Sequence, residues 1–241
     1  MKKTSLLKKA VCAATATVLC VAPLLACGDS DNFQGVEVPD EKTWNERVEA
    51  YNNCQNFTET VAQYDDGKLA VSISIKYDID NHGVVYSEDS NGCQDYYFTT
   101  PIDNLHLVVY KTESDEPWKT HIYYGTDFNS HYSNTSIKLN HFSTNLHYFK
   151  AYNAYSEYAY NGSNSAYEKE YESLGGAKCH DKLYFSEHYL FAGTMEIDAG
   201  RIGNMKVTCE CSEYGTTVVN VPAEVQAIAA EYLKPNIPDA E

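Results

Sequence analysis

Cys209-Glu210-Cys211, with Cys179-His180 and His188 upstream, is the densest gathering of metal-competent side chains in the chain. Thiolates and imidazoles are zinc ligands, and neighbouring strands would have to bring these residues together. The spacing is not that of a Cys-x2-Cys finger, and no metal or other cofactor is expected. Asp78-Ile79-Asp80-Asn81-His82-Gly83 opens like a calcium loop, but Ser90 falls near the place where such a loop needs a bidentate Glu. It reads as a turn between strands. Nucleophilic catalysis has no signature: there is no Gly-x-Ser-x-Gly, no His-Glu-x-x-His and no Gly-rich phosphate loop. The eight histidines are scattered, and 34 acidic residues single out no carboxylate pair. A non-enzymatic protein is expected.

Another cysteine carries a different chemistry. Lys2, Lys3, Lys8 and Lys9 precede an apolar run from Ala10 to Ala26, and Cys27 follows Leu24-Leu25-Ala26. A positive start, a short apolar stretch and small residues at its end are the layout of a secretory signal. Thr15, Thr17 and Pro23 interrupt the run, which is shorter than the roughly 20 residues a spanning helix needs. Leu-x-Ala-Cys closely resembles the lipobox of bacterial lipoproteins. In that family the chain is cut before the cysteine, whose sulfur then carries a diacylglycerol, with palmitate among the acyl chains. The resemblance implies a signal peptide over 1–26, lipidation at Cys27 and a location in the cell envelope, periplasmic or surface-exposed, with the membrane reached through the anchor.

Cleavage there would leave 215 of the 241 residues, enough for one sizeable domain. The whole chain carries a charge of −16; losing a segment with four lysines and no acid takes it to −20. Such a body has no cationic face for nucleic acid, and an anionic lipid surface repels it, so acyl chains rather than charge must hold it. Five cysteines remain beyond Cys27. Export permits disulfides, and five is odd. The expected pairs are Cys54 with Cys93 and Cys179 with Cys209 or Cys211, leaving one thiol over. Tyrosine is the compositional outlier, 21 against 8 Phe, and is expected on half-exposed sheet surface.

These residues need a scaffold. Residues 27–39 read as a polar tether; its acidic start, Gly28-Asp29-Ser30-Asp31-Asn32, is either a spacer or, by resemblance to some Gram-negative lipoproteins, a surface-export signal. Thr43-Trp44-Asn45-Glu46 has the form of a capping box, and Trp44, Val48 and Tyr51 follow at helical spacing, so a helix is expected over 40–53. Strands are expected over 57–64, 69–77, 83–87, 94–99, 105–111, 120–124, 157–161, 166–172, 178–185, 189–197, 204–212 and 215–221. A short helix is expected near 144–152 and a closing one after Pro222, where Val225, Ile228, Ala229 and Tyr232 share a face. Residues 234–241 read as a tail. Serial strands with turn signals between them argue for an antiparallel sheet rather than βαβ units. The fold class is α+β, mostly β.

The helix at Thr43-Trp44 through Tyr51 with Asn56-Phe57-Thr58 opening a strand, Tyr148-Phe149 leading to Ala166-Tyr167, and Glu213-Tyr214-Gly215-Thr216-Thr217 running into Val218-Val219-Asn220-Val221-Pro222 together resemble the LolA-like fold. That fold is shared by bacterial lipoprotein carriers and mycobacterial lipid-carrying lipoproteins. The resemblance implies a curved antiparallel half-barrel over 40–233, packed with a few helices around an apolar cavity for acyl chains. The family members carry few cysteines, and the helix after Pro222 is an addition. The strand positions expected to line a dry concave face are Leu69, Val71, Ile73 and Ile75 with Leu105, Leu107 and Val109. The expected function is binding of a lipid or other hydrophobic ligand. The alternative is a surface-displayed adhesion or glycan-binding β-module, with Tyr and Trp stacking on sugars.

Overall fold

The computed structural model describes residues 33–99, 105–124, 155–173 and 175–233. Cys27, the 1–26 segment, the helix expected near 144–152 and the 234–241 tail lie outside them. Eleven strands form one antiparallel, curved, open sheet: β1 (Asn56–Asp65), β2 (Lys68–Asp78), β3 (Val84–Asp89), β4 (Gln94–Thr99), β5 (Leu105–Lys111), β6 (Lys119–Tyr124), β7 (Ala159–Asn161), β8 (Ala166–Glu172), β9 (Lys178–Phe185), β10 (Leu190–Asp198) and β11 (Asn204–Ser212). Their order, β6-β5-β4-β3-β2-β1-β11-β10-β9-β8-β7, joins two meanders through the pair β1–β11. The first and last strands of the meanders meet at the centre, and β6 and β7 are left as the two edges. Among the described residues no helix is long and apolar enough to cross a membrane.

Local chemistry explains the turns. Asp66 (φ 48°) and Gly67 (φ 76°) both take the left-handed region between β1 and β2, as a two-residue hairpin turn requires. Between β2 and β3, the stretch 78–83 forms a one-turn helix, α2 (Ile79–His82), closed by Gly83 at φ 62°. Helix α1 (Glu41–Asn53) starts one turn before the expected capping box: Asp40 is the N-cap and accepts the Thr43 N–H at 2.7 Å. From Phe33 on the chain is docked on the sheet domain, so residues 33–39 of the expected tether are not a free spacer. Gly35 N–H bonds to Ser165 O, and a Cβ on Gly35 would lie 2.5 Å from that oxygen, so only glycine allows the approach.

Each face of the sheet is covered by a different helix. On one face, α1 lays Trp44 among Tyr155, Tyr158, Tyr167 and Phe185, with ring centroids 4.4–5.6 Å away. That face continues through Leu183, Val207, Val61, Ile73, Ile75, Val85, Tyr97 and Val108, all buried. On the other, α3 (Ala223–Leu233) packs Val225 and Ala229 on Val84, Tyr96, Leu107 and Val109. Among the described residues Tyr64, Tyr86, Tyr110, Tyr155, Tyr158, Tyr160, Tyr171, Tyr189 and Tyr214 are half-buried, as expected, whereas Tyr51, Tyr77, Tyr96, Tyr97, Tyr167 and Tyr184 are buried. Burial is tolerable where the hydroxyl has a partner; Tyr167, for example, receives Val38 N–H and donates to Val38 O.

The strand expected over 215–221 does not form. β1 already pairs with β2 and β11, so no free edge exists where this segment runs. It crosses the α3 face instead, tied by side chains. Asn56 exchanges two hydrogen bonds with the Thr217 backbone, and Asp78, fully buried, accepts from Asn56 Nδ2, Val219 N and the His82 ring.

Candidate functional site

Glu59 sits in the middle of β1 between Phe57 and Val61 on the face that α1 covers, and it is 4% exposed. Its cross-strand partner on β11 is Cys211; Cys209, two residues back, is opposite Val61. Period-two alternation puts both thiols on Glu59's face. The carboxylate oxygen and the two sulfurs all lie within 4.8 Å of one another. Cys209 donates to Glu59 Oε1 at 3.0 Å, and Tyr77, from β2, donates to Oε2 at 3.3 Å. From α1 above, Tyr51 brings a buried hydroxyl against Cys211 without a hydrogen bond of ordinary geometry.

Among the described residues no cation offsets this group, and its electrostatics follow. Burial pushes the Glu59 carboxyl up against the two hydrogen bonds that pull it down. The bond Cys209 shares with Cys211, then burial, then Glu59, push the Cys209 thiol well above its ordinary value. Burial raises Cys211, and burial followed by the neighbouring Cys211 raises Tyr51 well above a normal phenol. Burial and mutual proximity thus work against the charged form of each group in this dry place.

A ladder of rings walls it on one side. Tyr77 stacks on Phe57 (4.4 Å, 14°), Phe57 faces Tyr214 (5.9 Å, 17°), and Tyr214 stacks on Tyr189 (4.3 Å, 5°). The Tyr214 hydroxyl donates to Leu190 O at 3.0 Å. Two further carboxyls lie on the same sheet face. Asp95, beside Ser87, is pushed up to about 7 by burial; Asp181, near Tyr171 and Lys169, is pushed up to about 6 by burial.

The residues expected to line an apolar trough are divided by the sheet. Ile73 and Ile75 are buried on the α1 face, with Val71 half-buried beside them. Leu107 and Val109 point to the opposite face and are covered by α3. The register shows why: Ile75 pairs with Ser87, Ser87 with Asp95 and Asp95 with Tyr110, whereas Leu107 aligns through Phe98 and Val84 with Asp78. Val108, between them, is the β5 residue on the α1 face. A bulge near the start of β2 turns Leu69 out, 40% exposed. The Leu105 side chain lies outside the described ones.

All five described cysteines are free, so the expected disulfides are not formed. Cys54 follows α1 near the start of β1, whereas Cys93 precedes β4 at the opposite end of the hairpins. Cys179 is in register with Ile197, four residues along β10 from Gly193, which faces Cys209. Nor do the His residues weighed as ligands join Cys209 and Cys211. His180 points to the other face toward Glu168, and His188 is exposed in the β9–β10 turn. The partner missed by sequence reasoning is Glu59. Its signal was a carboxylate inside an otherwise apolar strand face, Phe57-x-Glu59-x-Val61. No family model and no curated protein matches this chain.

Proposed function

We propose that the protein is an extracytoplasmic lipoprotein, anchored through acyl chains on Cys27, whose sheet domain holds a lipid or other hydrophobic ligand without transforming it. One observation carries the reading. On its α1 side the open sheet carries a buried apolar stretch across β1, β2, β3 and β5, made of Val61, Ile73, Ile75, Val85 and Val108, with Glu59, Ser87 and Asp95 as its polar interruptions. Apolar concave surface with few polar groups is what binds acyl chains, and it requires no catalytic residue. Over β8, β9 and β10 the same face is filled by Trp44 and its aromatic neighbours, which confines the ligand to the β1–β5 half. Against sugar stacking stands the burial of Trp44 and of six tyrosines, whose rings are turned away from solvent.

The test is a titration of the purified full chain with a fluorescent long-chain fatty acid, followed by displacement with unlabelled fatty acid. Saturable, displaceable binding is expected, weakened by Val108→Asp in a variant whose circular dichroism matches the parent. Absence of saturable binding overturns the reading.

A further inference from the structure

We infer that Glu59, Cys209 and Cys211 form a binding site for a single thiophilic cation of the Zn²⁺ class, with the Tyr51 hydroxyl at its fourth position. This site lies on the same sheet face, where Glu59 neighbours Val61 and pairs with Ile75, but its donors are polar and its test reads the metal alone, so it does not depend on what the apolar residues hold.

Four observations carry it. Three ligand atoms of the right kinds converge within 4.8 Å, and atoms bonded to one zinc at about 2.0–2.3 Å are at most about 4.5 Å apart, so small side-chain rotations close the shell. The donors come from β1 and β11, adjacent strands at the centre of the sheet, so the backbone fixes them before any ion arrives. Tyr51 places a fully buried hydroxyl, which makes no hydrogen bond of ordinary geometry, beside Cys211 under the roof of α1. Tyr77 donates to the second oxygen of Glu59, the outer-shell bond that orients a ligating carboxylate.

The alternative use of these residues is a purely structural polar cluster. It is a poor one. A buried carboxyl costs free energy unless well paired, and here its donors are one thiol and one phenol. An apolar residue at position 59 would match Phe57 and Val61 and pack more cheaply. Two sulfurs select against Ca²⁺ and Mg²⁺, and the mixed S2O set suits Zn²⁺. On binding, both thiols lose their protons to solvent and ligate as thiolates. Cys54 is not included: its thiol is turned to Asn56 O at 3.2 Å.

The experiment uses the full chain, reduced and stripped with a chelator, titrated with Zn²⁺ and in parallel with Co²⁺ as a spectroscopic probe. One equivalent of Zn²⁺ is expected, with sulfur-to-cobalt charge-transfer bands for the Co²⁺ form. Cys209→Ser/Cys211→Ser is expected to weaken Zn²⁺ binding by at least about 100-fold, and Tyr77→Phe, acting only through Glu59, by about 10-fold. A Cys54→Ser/Cys93→Ser/Cys179→Ser variant is expected to keep both the stoichiometry and the charge-transfer bands, which tests the assignment even if the double variant does not fold. Absence of stoichiometric Zn²⁺ in the parent, Co²⁺ bound without thiolate bands, or loss of those bands in the triple variant each overturns the inference.

Discussion

Cys209, in the last strand of the sheet, donates a 3.0 Å hydrogen bond to Glu59 in the first, joining the two chain ends of the fold at a buried carboxyl. If Glu59 serves a ligand rather than the fold, its removal relieves the metal-free protein. Glu59→Leu is expected to raise the stability of the chelated protein at pH 8 by about 1–2 kcal/mol, since a buried polar cluster is replaced by a packed apolar group. Urea unfolding in the presence of chelator measures it. A loss of several kcal/mol would make Glu59 a structural keystone.

Asp95 gives the protein a pH dependence of definite sign. Its carboxyl titrates near 7 in the folded state and near 3.8 when free, so between those values the folded state holds a proton that the unfolded state has lost. Its favourable contribution is complete below about pH 4 and disappears as the pH rises through 7. Asp181, at about 6, acts in the same direction. Asp95→Asn is expected to leave the unfolding free energy, measured in urea, unchanged at pH 4 and to raise it at pH 8 by up to about 4 kcal/mol. Equal effects at both pH values would contradict the burial argument.

Trp44 holds α1 to the sheet. Trp44→Ala leaves a cavity among Tyr155, Tyr158, Tyr167 and Phe185, and is expected to cost about 3–5 kcal/mol. Because α1 also roofs Glu59 and Cys211, hydrogen exchange in the middle of β1 and β11 is expected to accelerate in this variant. Exchange confined to α1 would show that the roof and the sheet are uncoupled.

Most strands were legible because their alternation survives burial. Val71-Ser72-Ile73-Ser74-Ile75 could be only a half-buried strand, and Gln94–Thr99, Leu105–Lys111, Ala166–Glu172 and Lys178–Phe185 were bounded by turn residues that the chain uses as such. Which face each strand shows was not legible. Ile75 sits between Ser74 and Lys76 and Leu107 between His106 and Val108, and only the register through β3 and β4 puts the two on opposite sides. The 215–221 segment has the residues of a strand, but no unpaired neighbour is available to it. Glu59 escaped notice because one carboxylate in a strand carries no spacing; its partners lie about 150 residues away in sequence.

The Asn56–Asp78 pair explains how that segment is held without a strand. Asp78→Ala leaves Val219 N without its acceptor and Asn56 Nδ2 with Thr217 O alone, and is expected to cost about 2–3 kcal/mol. Backbone amides over 217–221 are expected to lose protection before those of β1 and β2. Simultaneous loss would mean that the segment is part of the sheet's cooperative core.

The most direct measurement is native mass spectrometry of the full-length protein purified from its membrane, followed by solvent extraction. The account predicts an acyl-modified chain beginning at Cys27 and, in addition, a non-covalent adduct that solvent releases as an apolar molecule. A chain carrying no lipid at Cys27, or one that shows no adduct and takes up none from added fatty acid, would contradict it.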